Sequence, residues 1–225
     1  MTQGNDPFSQ LLYPMLTEQP SVDASLVAEL ARAPLQKSAE SNGLRRQLFD
    51  ASAEEIATCA RAISSTVASG GRVLACGNGG SATSAADMVA ELLHPSGARP
   101  PIAALCLTAD VAVVTAIGND VSFDDVFVRQ LLALGRPGDV LLAISTSGNS
   151  ENLVRAVREG RRLGILTVGI AGHDGGRMRA EAAVDHLFVV PSTSVHRIQE
   201  VQTTLYHLLF ELVQRHLTEV PAACA

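Results

Sequence analysis

The sequence predicts an α/β fold in which a doubly wound, five-stranded parallel sheet is flanked by helices. Two observations predict it. Five short apolar runs recur along the chain, and segments of helical spacing separate them. The runs are apolar throughout rather than alternately apolar and polar, which is typical of strands buried on both faces of a parallel sheet. A length of 225 residues suits one such domain with added helical elements.

Helices are predicted before the sheet begins. Residues 1–22 contain three prolines and are expected to form a loose arm. Apolar residues at helical spacing predict a helix over 24–33, before Pro34. A second helix is predicted over 52–68, and the glycine pair that follows it ends it.

Strands and helices then alternate, as in a flavodoxin-like sheet. The predicted strands are 72–76, 102–107, 140–144, 166–170 and 186–190. The predicted helices between them are 82–93, 110–117 with 124–134, 150–163 and a short 177–182. A long C-terminal helix over 195–217 follows. The predicted organisation is an N-terminal arm and helix over 1–50, one α/β domain over 51–217 and a tail over 218–225.

Composition restricts the partners and the compartment. The net charge is −6 and no basic run stands out, which argues against nucleic acid as the main partner. No apolar run reaches the ~18–20 residues needed to span a bilayer. Four cysteines without a CxxC pair are expected to be reduced, and the N-terminus does not resemble a signal peptide. We therefore expect a cytoplasmic protein without a membrane partner.

A segment rich in hydroxyl groups follows the third predicted strand, and we call residues 145–150 the hydroxyl loop. It contains Ser145, Thr146, Ser147 and Ser150, and a helix begins near its end. Hydroxyl groups and the amides of a helix N-terminus form a compact anion site. Ser150 could instead be an ordinary helix cap, but a cap explains only one of the four hydroxyls.

A second Gly-rich segment, residues 77–81, follows the first predicted strand, and we call it the glycine turn. Its sequence does not complete the dinucleotide pattern, because Ala82 occupies the third glycine position. The chain also has no Gly-Lys-Ser/Thr of a Walker loop. The glycine turn therefore does not indicate a nucleotide cofactor.

Five segments together resemble the phosphoheptose isomerases of the sugar isomerase (SIS) domain superfamily. In chain order they are Gly77–Ser81, Gly118-Asn119-Asp120, Ser145–Ser150, Asp174-Gly175-Gly176 and Arg197-Ile198-Gln199-Glu200. The resemblance covers about residues 50–217, and the combination is far more specific than any one Gly-rich turn.

The resemblance implies an isomerase that interconverts a ketose phosphate and an aldose phosphate through an enediol. The implied substrate is sedoheptulose 7-phosphate, and the implied product is a D-glycero-manno-heptose 7-phosphate. Glu91 and His207 would be the catalytic acid–base pair. The implied substrate-binding residues are Asn78, Gly79, Gly80, Ser81, Asn119, Asp120, Ser145, Thr146, Ser147, Ser150 and Gln199.

The resemblance also implies a divalent metal ion, possibly zinc, and a homotetramer with its sites between subunits. The aligned metal ligands are Asp87, Glu91, Gln199 and His207. The family usually has histidine where this chain has Asp87, so the ligand set is richer in oxygen and could suit another ion. The basic residue that often follows the family's glutamate is also missing, and His94 is the nearest substitute.

Simpler roles for these residues stay open at this point. Glu91 could be an exposed helix carboxylate, Asp87 a charge favoured by the helix dipole, and His207 a core histidine. Two other functions compete with the isomerase. One is a non-catalytic phosphosugar-binding or protein-interaction SIS protein of the replication-initiator-associating type, in which the late histidine is typically absent. The other is a phosphosugar-sensing regulator, which usually carries a separate DNA-binding domain.

Overall fold

The structure is a computed structural model that describes residues 24–181 and 184–219. The chain divides into two compact units, the first ending at Ala39 and the second starting at Glu40. The predicted arm over 1–22 and residues 220–225 of the predicted tail lie outside the described residues. The predicted division into 1–50, 51–217 and 218–225 stays a prediction.

Helix α1 spans Ala24–Ala68 without a break, with Pro34 inside it. The prediction of two separate helices was therefore wrong. The stretch after Pro34 is mostly exposed, with Ser41 and Leu48 among its few buried positions. Because few of its residues face a core, it lacks the apolar spacing by which a helix is found in a sequence.

The remaining elements follow the predicted alternation closely. In chain order they are β1 (Val73–Gly77), α2 (Gly80–Leu93), β2 (Ala104–Cys106), α3 (Val111–Asp120), a 3₁₀ turn (Phe123–Asp125), α4 (Val126–Leu134), β3 (Val140–Ile144), α5 (Glu151–Arg162), β4 (Leu166–Gly172), α6 (Gly176–Ala180), β5 (His186–Val190) and α7 (Val195–Glu219). The main differences lie in β2, which is shorter than predicted, and in α3 and α7, which run further.

The five strands form one parallel sheet in the order β2-β1-β3-β4-β5, which confirms the doubly wound, flavodoxin-like prediction. Every residue of β1 and β3 is buried, as continuous apolar runs predict for central strands. The chain reverses its winding direction between β1 and β3, and ligands of such sheets bind beyond the carboxyl ends of the strands at that place. The glycine turn follows β1 there, and the hydroxyl loop follows β3.

Two apolar clusters cover the two faces of the sheet. One contains residues of α1, α2 and α7, including Ile63, Met88 and Leu209. The other contains residues of α4, α5 and α6, including Phe127 and Leu153. Since α2 and α7 belong to the same cluster, their side chains can meet above one face of the sheet.

Two further expectations concern cysteine and the membrane. Cys59, Cys76 and Cys106 are free and buried, as predicted, and burial raises the pKa of the Cys59 thiol to about 12. Cys224 lies outside the described residues. Within residues 24–181 and 184–219, none of the helices is both long enough and apolar enough to cross a bilayer.

Candidate functional site

The glycine turn redirects the chain from β1 into α2. Gly79 has a φ of 54°, which glycine adopts without strain. A Cβ on Gly77 would lie within 3.0 Å of the backbone of Ser81, so the turn requires glycine there too. Ser81 itself is 4% exposed, so its side chain is buried beneath the turn. The turn thus presents backbone and the side chain of Asn78 rather than the Ser81 hydroxyl.

Asn78 is joined to Asn152 by two reciprocal amide hydrogen bonds. The Nδ2 of Asn78 donates to Oδ1 of Asn152 at 2.9 Å, and the Nδ2 of Asn152 donates to Oδ1 of Asn78 at 2.9 Å. Asn152 lies in the first turn of α5 and is 2% exposed. The pair fixes the glycine turn against the helix that follows the hydroxyl loop. Sequence reasoning missed Asn152, because an asparagine in a first helical turn is common.

The hydroxyls of the hydroxyl loop have different environments. Ser145 is 3% exposed, and its Oγ accepts from the N–H of Gly148 at 3.0 Å. The Oγ of Ser147 accepts from the N–H of Asn149 at 3.1 Å. Ser150 is the N-cap residue of α5, yet its side chain makes no capping hydrogen bond to the described backbone. The structure therefore does not support the simple capping role for Ser150.

Close backbone packing holds the middle of the loop. Gly148 has a φ of 68°, and a Cβ there would lie within 3.0 Å of the carbonyl oxygen of Gly175. The backbone N–H of Met178 also donates to the carbonyl of Gly148 at 3.0 Å. The loop is thus fixed to the segment that follows β4.

An open cavity of about 830 Å³ borders the hydroxyl loop. Sequence reasoning placed only its Ser147 in the site. The signal for the others was available, since Asn149 follows β3 and the rest follow the carboxyl ends of β4 and β5. The cavity is lined by Ser147, Asn149, His173, Asp174, Pro191, Ser192 and Thr193.

Charges next to the hydroxyl loop are already neutralised. Glu151 begins α5 and forms ion pairs with Arg155, at 2.7 Å, and with Arg177. Hydrogen bonds from Arg155 and then Arg177 lower the pKa of Glu151 to about 2. Because Arg177 also pairs with Glu181, these cations are engaged with carboxylates. An anion at the loop would therefore be bound chiefly by hydroxyl and amide donors.

A second group of polar residues lies between α2 and α7. The Nδ1 of His207 lies 2.8 Å from Oε2 of Glu91, and both side chains are partly exposed. The hydroxyl of Tyr206 donates to Oδ2 of Asp87 at 2.6 Å. Burial, followed by that hydrogen bond, raises the pKa of Tyr206 above its ordinary value. Asp87 and Glu91 are one turn apart on α2, so two polar pairs join the helices side by side.

Gln199 lies at the other end of the interface between α2 and α7. A Cβ on Gly80 would be within 3.0 Å of the Gln199 amide nitrogen, so the amide covers the first residue of α2. One turn later, Nε2 of the buried Gln202 reaches the carbonyls of Ser145 and Ile170, both at 3.3 Å. Gln202, which sequence reasoning missed, connects α7 to the start of the hydroxyl loop.

The predicted metal ligands do not converge in one chain. Gln199 contacts α2 at Gly80, and His207 contacts it at Glu91. Glu91 lies eleven residues after Gly80 on that helix. At 1.5 Å per residue, that separation is about 16 Å along the helix. Among the described residues, no group of three or more His, Cys, Asp or Glu side chains could hold a metal ion. Within a single chain, these four side chains as arranged therefore do not fit one metal ion.

The predicted sugar-contacting pair Asn119–Asp120 makes no hydrogen bond to either group among the described residues. The Nδ2 of Asn119 donates to Oδ1 of its neighbour Asp120 at 2.7 Å, and both residues are exposed at the end of α3. Helix α3 packs on the 3₁₀ turn and on α4. Thr146, half-buried, remains in the hydroxyl loop next to Gly172. The predicted residues thus form two groups, near the hydroxyl loop and near Glu91, with Asn119 and Asp120 outside them.

Comparisons with known proteins agree on one family. The SIS domain profile matches residues 38–172. A phosphoheptose isomerase of Nitratidesulfovibrio vulgaris is 41% identical over 195 residues, which are 86% of this chain and 93% of that protein. A phosphoheptose isomerase of Desulfovibrio desulfuricans is 45% identical over 184 residues, which are 81% of this chain and 86% of that protein. The solved phosphoheptose isomerase of Neisseria gonorrhoeae superposes with a TM-score of 0.75 at 36% identity, covering 82% of this chain and 99% of that one.

Proposed function

Because the chain belongs to the phosphoheptose isomerase family of SIS-domain proteins, we propose that it interconverts sedoheptulose 7-phosphate and D-glycero-manno-heptose 7-phosphate through an enediol. The contact between Glu91 and His207 at 2.8 Å carries this proposal, since the reaction needs a base and an acid in one place. Both side chains are accessible, with 31% and 45% of their surfaces exposed. They can therefore reach a substrate, whereas a core histidine could not.

The roles follow from the proton movements of the reaction. Glu91 removes a proton from C1 of the ketose while O2 takes up a proton, which leaves an enediol between C1 and C2. O1 then loses its proton and C2 receives one, which completes the aldose. His207, hydrogen-bonded to Glu91, carries protons between O1 and O2. The net result moves one hydrogen from C1 to C2 and one from O1 to O2. Glu91 and His207 carry out every proton transfer.

The hydroxyl loop is the proposed site of the phosphate. Ser147 borders the open cavity, and Ser150 is the N-cap residue of α5. A phosphate there would accept from their hydroxyls and from the amides of the first turn of α5, where the helix dipole favours a negative charge. The carboxylate of Glu151 does not oppose this, because two arginines pair with it.

The distance between the two groups supports sites that two subunits share. The phosphate end lies near Gly80, and Glu91 lies about 16 Å further along α2. The carbon chain of a heptose extends at most ~9 Å and its phosphoester adds about 4 Å, so the sugar phosphate is shorter than that separation even when fully extended. We therefore assign the hydroxyl loop of each site to one subunit and the Glu91–His207 pair to another, in the predicted homotetramer.

An exposed apolar surface supports the same assembly. None of the residues of α3 is buried, although most are apolar. Val111 is 69% exposed, and Val121 and Phe123 just beyond the helix are 53% and 55% exposed. A monomer rarely leaves so many neighbouring apolar side chains in water. A second copy packed on this surface would also bring its own active site close to Asn119 and Asp120 of the first copy. The proposed role of these two residues is to contact the sugar.

Mixing two inactive variants tests the shared site. Glu91→Gln lacks the reacting end, and a Ser147→Ala/Ser150→Ala double variant lacks the phosphate end. Co-expressed with different tags and purified through both, hybrids should regain activity, because some sites combine two intact halves. Hybrids of Glu91→Gln with His207→Ala should stay inactive, because both variants lack part of the reacting end and no site receives an intact pair. If the first hybrids are as inactive as their parents, each site lies within one chain.

Turnover of sedoheptulose 7-phosphate tests the proposed reaction itself. An aldoheptose phosphate is the expected product. Binding of the sugar phosphate without turnover would instead favour the non-catalytic SIS protein. Zinc remains a prediction from the resemblance and a cytoplasmic location a prediction from the composition, and no step above passes through a metal ion.

A further inference from the structure

Tyr206 lies buried where it contacts both Asp87 and the ring of His207. Its side chain is 2% exposed, and its hydroxyl donates to Oδ2 of Asp87 at 2.6 Å. Its ring centroid is 4.5 Å from that of His207, with the planes tilted by 46°. On its other side the ring contacts Phe210, with the centroids 6.4 Å apart. Tyr206 thus connects Asp87 on α2 to the ring of His207 on α7.

His207 needs such a neighbour to hold one orientation. Its side chain is 45% exposed, so packing limits it on one side only. Its recorded hydrogen bond is to Glu91, a flexible side chain that is itself 31% exposed. In contrast, Tyr206 is fixed by burial and by its hydrogen bond to Asp87. A fixed ring against His207 restricts the imidazole rotation that would break the contact with Glu91.

Asp87 occupies the position at which the family usually has its first metal-binding histidine. Here its carboxylate accepts a hydrogen bond from a buried phenol. Among the described side chains, no cluster of three acidic, histidine or cysteine residues could hold a metal ion. Asp87 and Glu91 instead each bind their own partner on α7, at neighbouring positions of that helix.

Building on the function proposed above, we propose that Asp87 and Tyr206 are a positioning pair that orients His207 towards Glu91 and replaces a metal ion in this role. Asp87 acts through its oxygen acceptor, and Tyr206 acts through its ring and its hydroxyl. Neither touches the reacting atoms. The reacting end of the site is then organised by two hydrogen bonds between α2 and α7.

Three variants separate a positioning role from a metal-ligand role. Tyr206→Phe removes the donor, Asp87→Ala removes the acceptor, and Asp87→Asn keeps an oxygen acceptor but removes the charge. Tyr206→Phe and Asp87→Ala should lower kcat by about 10- to 100-fold with KM nearly unchanged, since small misplacements of reacting groups have effects of that size. Asp87→Asn should recover most of the loss of Asp87→Ala. Glu211→Gln, which removes an exposed carboxylate elsewhere on α7, is the matched control and should leave kcat unchanged.

Two readouts do not depend on turnover, so they remain decisive if the isomerase proposal fails. Metal analysis of the wild-type protein after dialysis against zinc, followed by metal-free buffer, should find far less than one zinc per chain. The carbon and proton NMR signals of the His207 ring should shift in Tyr206→Phe and Asp87→Ala and much less in Asp87→Asn. Stoichiometric zinc that Asp87→Asn loses together with activity would overturn the inference. Equally, unchanged His207 signals in Tyr206→Phe would overturn it.

Discussion

The amide nitrogen of Gln199 lies so close to Gly80 that a Cβ added at this position would displace the glutamine side chain. This contact joins the start of α2 to the start of α7 beside the glycine turn. Gln199 is therefore distant from His207, which lies eight residues later, or about 12 Å further along α7. Although the two side chains were predicted to bind one metal ion, they lie at opposite ends of the interface between α2 and α7.

Gly80→Ala should displace Gln199 and weaken the binding of sugar phosphate. The added Cβ would lie within 3.0 Å of the amide, so the flexible side chain must move away. Calorimetric titration with sedoheptulose 7-phosphate measures the effect, and a several-fold weaker Kd is expected with the fold retained. Gly43→Ala in α1 is the matched control, since its Cβ would meet nothing within 4 Å. Equal affinities of the two variants would show that Gln199 has no part in binding.

Replacing Ser147 and Ser150 by alanine should weaken phosphate binding more strongly. A hydrogen bond to a charged group contributes about 1.5–3 kcal/mol, so losing two should lower the affinity at least about 100-fold. Titration with inorganic phosphate and with the sugar phosphate should show the same relative loss. Ser65→Ala, an exposed serine of α1, controls for the loss of a hydroxyl. An unchanged affinity for both ligands would remove the hydroxyl loop from the site.

Ser145→Ala should lower the free energy of unfolding more than it lowers the affinity for sugar phosphate. The Ser145 hydroxyl is buried and accepts from the N–H of Gly148, so alanine leaves that amide without its partner. We expect a loss of about 1 kcal/mol in the free energy of unfolding, the typical size for one hydrogen bond. Urea denaturation of Ser145→Ala and of Ser147→Ala compares a buried hydroxyl with one that borders the cavity. Equal stability losses would contradict the different roles assigned to them.

Acid should destabilise the protein partly through Glu151. Because arginine partners lower its pKa from 4.5 to about 2, the carboxylate stabilises the folded state above pH 4.5. That contribution is lost as the pH falls from 4.5 towards 2. Thermal unfolding over this range should show a steeper fall in Tm for the wild type than for Glu151→Gln. The side chain is 31% exposed, so the difference should be modest. Parallel curves for the two proteins would contradict the assigned ion pairs.

The sheet was predictable because its strands are buried on both faces. Val140–Ile144 is apolar throughout, and both of its ends matched the prediction. Helix α1 was predicted only in part, since its middle turns contribute little to a core and carry no apolar spacing. Local pattern therefore located the elements that face the core and missed the exposed continuation of a helix.

The candidate site was predictable at the level of residue types but not of their partners. The hydroxyl loop was found because four hydroxyls follow one buried strand. Asn152 and Gln202 were missed, since their roles depend on which strand ends lie together. The hydrogen bond of Tyr206 to Asp87 joins residues 119 positions apart, and no short-range pattern reports such a contact. Long-range pairing is the information that the sequence alone did not supply.

Conversion of sedoheptulose 7-phosphate in deuterium oxide, followed by NMR, tests the central claim most directly. An enediol route removes a carbon-bound proton and returns one from the base, so the aldoheptose phosphate formed by the wild type should carry deuterium at C2. Glu91→Gln should lower the rate at least about 100-fold, in line with the loss of a general base, and should still bind the sugar phosphate. No conversion by the wild type, or conversion that Glu91→Gln leaves unchanged, would contradict the assignment of the Glu91–His207 pair.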